Sequence, residues 1–395
     1  MLNFMYNTPT KVIFGREIEG AIGAELRALG ATRVLLHFGG GSVRKSGLLD
    51  KVQASLTAAG LSFVELGGVA PNPKLSLVLE GIALCKKEEV DFLLAVGGGS
   101  VIDSTKAIAH GYAENRNPWE YIQNGETPQK TTPFGTVLTL SAAGSEMSNS
   151  CVLSNEETHL KRGITTELNR PLISFLNPEN TYTVSPFQTG CGIVDTMMHT
   201  LERYFTPDAD ADLTDRLAEG LLIAVRDAGR AAIANPCDYE ARATLMWASS
   251  LSHNGLTGCG RKTAFTVHKL EHDISGLHDH VAHGAGLSVL FPAWAKAIYR
   301  QDVRKFAQLA ARVWGCEMNF DHPERTALEG IRAMQAYFKE IGMPTTLSEL
   351  GVHPEHYETI VNLTTANGTK SAPSCYGEMD RERILEIYKI AEQPV

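Results

Sequence analysis

The sequence is short of basic charge, has no cysteine pair at C-x-x-C spacing, and contains no apolar run long enough to span a bilayer. Each absence excludes a class of protein. Lysine and arginine number 36 against 45 aspartate and glutamate, a formal net charge of −9, so there is no basic footprint for nucleic acid. Basic positions occur singly or in pairs, such as Arg44-Lys45 and Lys161-Arg162, as on a solvated surface. The longest apolar runs, such as Phe92 to Val96, fall far below the roughly 20 residues that a spanning helix needs. The opening Met1-Leu2-Asn3-Phe4-Met5-Tyr6 has neither the basic nor the apolar region of a secretory signal. The seven cysteines, odd in number and dispersed, read as free thiols in a reducing compartment. A cytoplasmic protein with no nucleic-acid or membrane partner is expected.

What is present is an ordinary globular composition, 43% hydrophobic and 21% charged, over 395 residues, enough for two cores. The first 180 or so residues alternate short apolar runs with helical segments. Val34 to Phe38 leads into Gly39-Gly40-Gly41-Ser42, and Phe92 to Val96 leads into Gly97-Gly98-Gly99-Ser100. Leu61 to Leu66, Phe134 to Leu140 and Leu172 to Leu176 are similar runs. Continuous apolar runs bounded by glycine, with helices between, predict a parallel sheet covered on both faces. Asn3 to Phe14 alternates and holds Pro9, which predicts an edge strand or hairpin.

Beyond Ser185-Pro186 helical periodicity takes over, in 192–205, 213–235, 239–254, 303–314, 323–341 and 380–391. The expected organisation is an α/β domain over 1–184 and an all-helical domain over 185–395.

Two features carry chemistry. Gly97-Gly98-Gly99-Ser100-Val101-Ile102-Asp103-Ser104-Thr105-Lys106 follows a strand and opens a helix. There glycine lets a pyrophosphate approach the backbone, and the helix N-terminus attracts its charge. A plain strand-to-helix turn is the alternative. Many NAD-binding folds place an acid at the end of the second strand, to hold the adenosine ribose. This chain has glycine and serine there, followed by Val43-Arg44-Lys45, which tolerates a 2′-phosphate and favours NADP(H) over NAD(H).

The second feature is the pair of motifs Asp195-x-x-x-His199 and His268-x-x-x-His272, followed by His278, His280 and His283. Residues i and i+4 share a helix face. A carboxylate with two or three imidazoles suits a divalent ion such as Fe²⁺ or Zn²⁺. Asp195 and His199 alone equally describe a solvated polar stripe that Glu202 and Thr206 continue. His268 and His272 lie among Val267, Leu270 and Ile274, in apolar surroundings. A structural zinc site would prefer cysteine, and no cysteine pair lies here.

Taken in order, the GGGS-x-x-D-x-x-K segment, the turn Ala143-Gly144-Ser145-Glu146, and the aspartate and histidine motifs ending in His283-Gly284 resemble the iron-containing (group III) alcohol dehydrogenase family. The likeness is strongest to its butanol dehydrogenase and NADPH-dependent aldehyde reductase branch and runs over essentially the whole chain. It implies a dehydroquinate synthase-like fold: a Rossmann-like dinucleotide-binding domain, a helical metal-binding domain and a cleft between them. It implies one divalent metal, Fe²⁺ or Zn²⁺, on Asp195, His199, His268 and His283, with His272 as a proton-relaying catalytic residue. It puts coenzyme contacts at Gly39, Gly40, Ser42, Asn72, Gly98, Gly99, Ser100, Asp103, Thr139, Ser141, Ser145, Val152 and Lys161.

The implied activity is hydride transfer between NAD(P)H and short-chain aldehydes or primary alcohols, in a homodimer. A glycerol- or propanediol-type polyol dehydrogenase is the neighbouring reading. A non-redox hydrolase or lyase on the same ligands is the distant one. Phe265 and Trp247 are candidate lining residues for the substrate. Two departures from the family pattern stand out. His283 lies fifteen positions after His268 rather than fourteen, which keeps His280 as an alternative ligand, and Ala142-Ala143 replaces the usual threonine before Gly144.

Overall fold

The computed structural model describes residues 1–207 and 211–395, which divide into two compact units. The first unit contains 7–184 and 236–250, and the second contains 1–6, 185–235 and 251–395.

The first unit is built on a six-stranded parallel sheet. Its strands are β1 (Lys11–Phe14), β2 (Arg33–Gly39), β3 (Ser62–Val69), β4 (Phe92–Gly97), β5 (Phe134–Leu138) and, after a hairpin of β6 (Ser150–Asn155) and β7 (Leu160–Thr165), β8 (Ile173–Leu176). Their order is β1-β8-β5-β4-β2-β3. The helices are α1 (Ile22–Ala28), α2 (Ser42–Lys45), α3 (Leu48–Ala58), α4 (Leu75–Glu88), α5 (Gly99–Glu114) and α6 (Trp119–Asn124). The continuous apolar runs follow from burial on both faces. Val34, Leu36, Phe38, Leu94 and Val96 pack with Ile22 and Leu26 of α1 and Val52 and Leu56 of α3. Leu35 and Leu93 point the other way, to Val78 and Ile82 of α4 and Ile108 of α5.

Strand β2 lies between β3 and β4, so the strand order reverses direction there. Ligands of open parallel sheets bind at the carboxyl ends of the strands at such a switch point. Both glycine triplets sit at that position, one after β2 and one after β4.

The second unit is helical: α7 (Pro186–Tyr204), α8 (Asp212–Ala234), α9 (Tyr239–His253, whose residues up to Ser250 belong to the first unit), α10 (Thr266–Leu277), α11 (His283–Ile298), α12 (Val303–Trp314), α13 (Pro323–Glu340), α14 (Pro354–Thr365) and α15 (Arg381–Ile390). Helix α11 is buried along nearly its whole length and packs on α7, α10, α13 and α15. No helix of the described residues is long and apolar enough to cross a membrane.

Three expectations differ from this architecture. Only Lys11–Phe14 of the stretch from Asn3 to Phe14 is a strand, pairing parallel with β8 at the sheet edge, and there is no hairpin. Leu2 N–H instead donates to the Gly260 carbonyl at 2.8 Å, which ties residues 1–6 to the helical unit. Residues 236–250 leave the expected 185–395 segment because Met246 enters the core with Val101, Ile102 and Leu138. Two further contacts hold that segment to the sheet unit: Trp247 packs edge-on to Phe14, and Ser250 donates to Glu146 at 2.5 Å.

Candidate metal centre and dinucleotide loops

Helix α7 starts cleanly: Ser185 caps it by accepting from Gln188 N–H at 3.2 Å, and Pro186 occupies the first turn. Almost every residue after its first turn is buried, including Asp195 and His199. The reading of these two as a solvated stripe therefore fails, and Glu202 and Thr206 are buried as well. His268 lies in the first turn of α10, and His283 is the first residue of α11.

Gly284 explains how α11 reaches this place. A Cβ there would overlap the Cys191 carbonyl of α7, and one at Gly286 would come within 2.7 Å of the Glu271 side chain. Glycine at both positions lets α11 close on α7 and α10 and delivers His283 beside Asp195.

Three imidazole nitrogens surround one carboxylate oxygen. Asp195 Oδ1 is 3.3 Å from His199 Nδ1, 3.5 Å from His268 Nε2 and 3.7 Å from His283 Nε2. A four-coordinate ion with bonds of about 2.0–2.2 Å sets its ligand atoms about 3.3–3.6 Å apart. Asp195 Oδ1, His199 Nδ1 and His268 Nε2 are buried and have no hydrogen-bond partner among the described residues. Buried polar atoms are ordinarily paired. Three orphans converging at this spacing fit a divalent cation.

Two buried carboxylates stand behind the imidazoles. Glu202 accepts from His268 Nδ1, and from the backbone N–H groups of Val267 at 2.6 Å and His268 at 3.1 Å. Glu271 accepts from His283 Nδ1. Each bond fixes the tautomer that turns the Nε2 lone pair towards Asp195. Burial, reinforced by His253 and His268, pushes His199 well below the ordinary imidazole range, so it is neutral. Burial also acts to lower His268, but the charges of Glu202 and Asp195 outweigh it and raise the group to about 9.

The remaining sequence candidates are sorted by geometry. His272 is half-buried, its ring centroid 5.2 Å from His283 and 6.3 Å from His268. His280 bonds the Leu350 carbonyl at 3.1 Å and stands outside the cluster. Phe265 packs 5.2 Å from His268 and 6.1 Å from His199. Trp247 packs on Phe14 in the sheet unit. Sequence reasoning missed Glu202 and Glu271 as partners of the imidazoles, and His253, whose ring packs at a tilt against His199 with centroids 3.9 Å apart. Both carboxylates carried a signal: Glu202, seven residues after Asp195, and Glu271, three after His268, lie on the same helix faces as those residues.

In the sheet unit, Gly98 precedes α5 and provides no side-chain cap. A Cβ at Gly98 would lie 3.1 Å from Leu140, and one at Gly99 would lie 3.2 Å from Ala143. Ser141 Oγ is buried without a partner. Tight glycines, an uncapped helix start and an orphan hydroxyl fit a pyrophosphate. Gly39 ends β2 and Gly40 and Ser42 follow it, Ser100 lies in the first turn of α5, and Thr139 follows β5, so these positions share the carboxyl edge of adjacent strands. Asn72, left-handed at φ 56°, follows β3.

Asp103 and Ser145 are turned on each other rather than outward. Ser145 Oγ donates to Asp103 Oδ1 at 2.5 Å, and Val152 N–H donates to Oδ2 at 2.9 Å. Fully buried Lys106 donates to Ser145 Oγ at 2.7 Å and to the Ser150 carbonyl at 2.7 Å. The three side chains strap the loop after β5 and strand β6 to α5. Lys161 is buried on β7, paired with Ser154 across the hairpin.

Fold and donor chemistry together define a metal- and nicotinamide-dependent oxidoreductase in two domains. Residues 9–178 match the iron-containing alcohol dehydrogenase family and residues 189–391 match the C-terminal part of the Fe-containing alcohol dehydrogenase family, and the chain belongs to this family. It is 39% identical over 390 residues to NADH-dependent butanol dehydrogenase A of Clostridium acetobutylicum, covering 98% of this chain and 99% of that one. It is 38% identical over 359 residues to the NADPH-dependent aldehyde reductase YqhD of Escherichia coli, covering 89% and 90%. A solved structure of NADH-dependent butanol dehydrogenase A from Thermotoga maritima matches with a TM-score of 0.95 at 36% identity, covering 100% and 99%. The chain is an alcohol dehydrogenase or aldehyde reductase that uses NAD(P)H and a divalent metal, which sets aside the hydrolase reading.

Proposed function

We propose that the protein interconverts short-chain aldehydes and primary alcohols of the butanal and butanol type, with Asp195, His199, His268 and His283 holding one Fe²⁺ or Zn²⁺. The observation that carries this reading is the convergence of three imidazole nitrogens on Asp195 Oδ1 with three of the four atoms unpartnered. Residues 7–184, joined by 236–250, hold the dinucleotide, and the helical remainder holds the metal and carries the catalytic chemistry. Gly39, Gly40, Ser42, Asn72, Gly98, Gly99, Ser100, Thr139 and Ser141 contact the coenzyme. Asp103 and Ser145 shape its loop, and Val152 and Lys161 line it from the hairpin. With glycine at the end of β2 and Arg44 close behind, the coenzyme is NADP(H) in preference to NAD(H).

When bound, the ion supplies Lewis acidity to the substrate oxygen and the nicotinamide supplies the hydride chemistry. The protein's own groups do the rest. Glu202 and Glu271 keep His268 and His283 in the donor tautomer. His272, half-buried one turn beyond His268, carries the substrate's hydroxyl proton on its imidazole to solvent. Phe265 gives the aliphatic chain an apolar neighbour.

The protein works as a cytoplasmic homodimer. None of its seven cysteines forms a disulfide, as in a reducing compartment, and Met1, Phe4 and Met5 present exposed apolar surface, which supports self-association. Light scattering at two concentrations tests the dimer.

The functional test uses chelated protein restored with Fe²⁺ or Zn²⁺, assayed with NADPH and NADH on butanal, glyoxal-type aldehydes and 1,2-diols. Asp195→Ala and His268→Ala are expected to lose both metal and turnover, and His272→Ala to lose rate while metal stays bound. Full activity of metal-free protein refutes the metal reading. Turnover confined to diols replaces butanal with the polyol reading.

A further inference from the structure

The carboxyl end of β2 holds one more arrangement. Arg44, two residues beyond the end of the glycine loop, lays its guanidinium over the Phe38 ring, 4.8 Å from the centroid. Gly67 of β3 makes room for that ring, since a Cβ there would come within 2.6 Å of it. The same guanidinium donates to Glu65 on β3, and Gln53 of α3 donates to the other Glu65 oxygen at 2.5 Å. Strand β2 ends in glycine, so no acid at that point holds a ribose diol or repels a 2′-phosphate. The acid that bears on this corner is Glu65, from the neighbouring strand.

We propose that Glu65 sets the coenzyme preference by competing with the 2′-phosphate of NADP(H) for the Arg44 guanidinium. This rests on the dinucleotide reading of the β2 and β4 loops. Both partners of the ion pair are accessible, with side-chain exposures of 53% for Arg44 and 30% for Glu65. Exposed pairs of this kind are weak, so a phosphate can displace the carboxylate. Phosphate and guanidinium also form the stronger, two-pronged contact. While Glu65 keeps its charge, it occupies Arg44 and lowers what the guanidinium can offer the incoming phosphate. The result is a chain that accepts NADP(H) but does not exclude NAD(H). Glu65 is thus a positioning residue acting through Arg44.

The test is the ratio of kcat/KM for NADPH to that for NADH, measured on the metal-loaded enzyme with butanal. Glu65→Gln keeps the shape and the Gln53 contact and is expected to raise the ratio about fivefold, the effect of one exposed pair. Arg44→Ala is expected to lower it about tenfold or more. The double variant is expected to match Arg44→Ala, because Glu65 then has nothing to compete for. The Glu65→Gln gain is expected to shrink between 0.05 and about 0.5 M salt. A ratio within twofold of wild type in Glu65→Gln, with an unchanged melting temperature, overturns the proposal. So does a double variant that keeps the full Glu65→Gln gain, since Glu65 would then act without Arg44. Failure of the wild-type protein to quench NADPH or NADH fluorescence defeats the dinucleotide reading instead, which separates the two failures.

Discussion

Replacing Glu202 by glutamine tests whether the cluster is built to hold a cation. The Glu202 carboxylate is buried and accepts three hydrogen bonds: two from the start of α10 and one from His268 Nδ1. An amide keeps the volume but has one acceptor oxygen, whereas Val267 N–H binds Oε1 and both His268 groups bind Oε2. With the oxygen on Val267 N–H, the NH₂ group faces His268 N–H and Nδ1, and the imidazole is driven to the other tautomer, with an N–H instead of a lone pair towards Asp195. With the oxygen on His268, the tautomer is kept, but the NH₂ group meets Val267 N–H and the negative charge behind the imidazole is gone. Loss of a carboxylate behind a ligating imidazole typically weakens metal binding about 10- to 100-fold. That is roughly 1.4–2.7 kcal/mol at 25 °C. The assay is Zn²⁺ affinity by chelator competition, with elemental analysis after dialysis and circular dichroism as the check on folding. Glu202→Gln that folds normally and holds zinc within threefold of wild type would refute the argument. It would mean that His268 needs no carboxylate behind it to bind the ion.

Gly284→Ala is expected to shift the start of α11, because the added methyl meets the Cys191 carbonyl; displacing His283 by about 1 Å should cost about 100-fold in kcat and lower the metal content, both measured on purified protein. Lys106→Met leaves half-buried Asp103 without its counter-ion, and breaking a fully buried pair costs about 3–5 kcal/mol, an upper bound here; a fall in melting temperature with a larger rise in coenzyme KM than loss of kcat is expected. In chelated protein His268 sits at about 9, above its unfolded value near 6.5, so its contribution to stability is full below about pH 6.5 and is lost as pH rises through about 9. Melting temperatures of chelated wild type and His268→Gln between pH 6 and 10 should converge at the alkaline end. For the same reason zinc uptake at neutral pH should release a proton, read by calorimetry in two buffers of different ionisation enthalpy.

Much of the first unit was legible because its signals are local. An apolar run such as Phe92–Val96 can only be a strand buried on both faces, and a glycine triplet after it marks the switch-point loop. The hairpin of β6 and β7 escaped notice because its alternation is broken by Lys161 and Arg162, one of which the fold buries. The extent of β1 was overread because alternation in 3–14 does not reveal what lies alongside: Lys11–Phe14 finds β8, whereas Leu2 finds Gly260.

The metal centre divides in the same way. The sequence by itself determined which residues share a helix face, since i and i+4 spacing puts Asp195 with His199 whatever surrounds them. It also determined the chemistry on offer, a carboxylate and several imidazoles, and the family resemblance named the four that meet. What the spacing could not say is whether that face is wet or buried, because burial depends on other elements. Tertiary structure decided that α11 closes on α7 at Gly284, which brings His283 to Asp195 and leaves His280 on the Leu350 carbonyl. It decided that Glu202 and Glu271 stand behind the imidazoles, and that Glu65 engages Arg44 across neighbouring strands. Each of these joins residues on different elements, and their tautomers and charges depend on contacts that only folding creates.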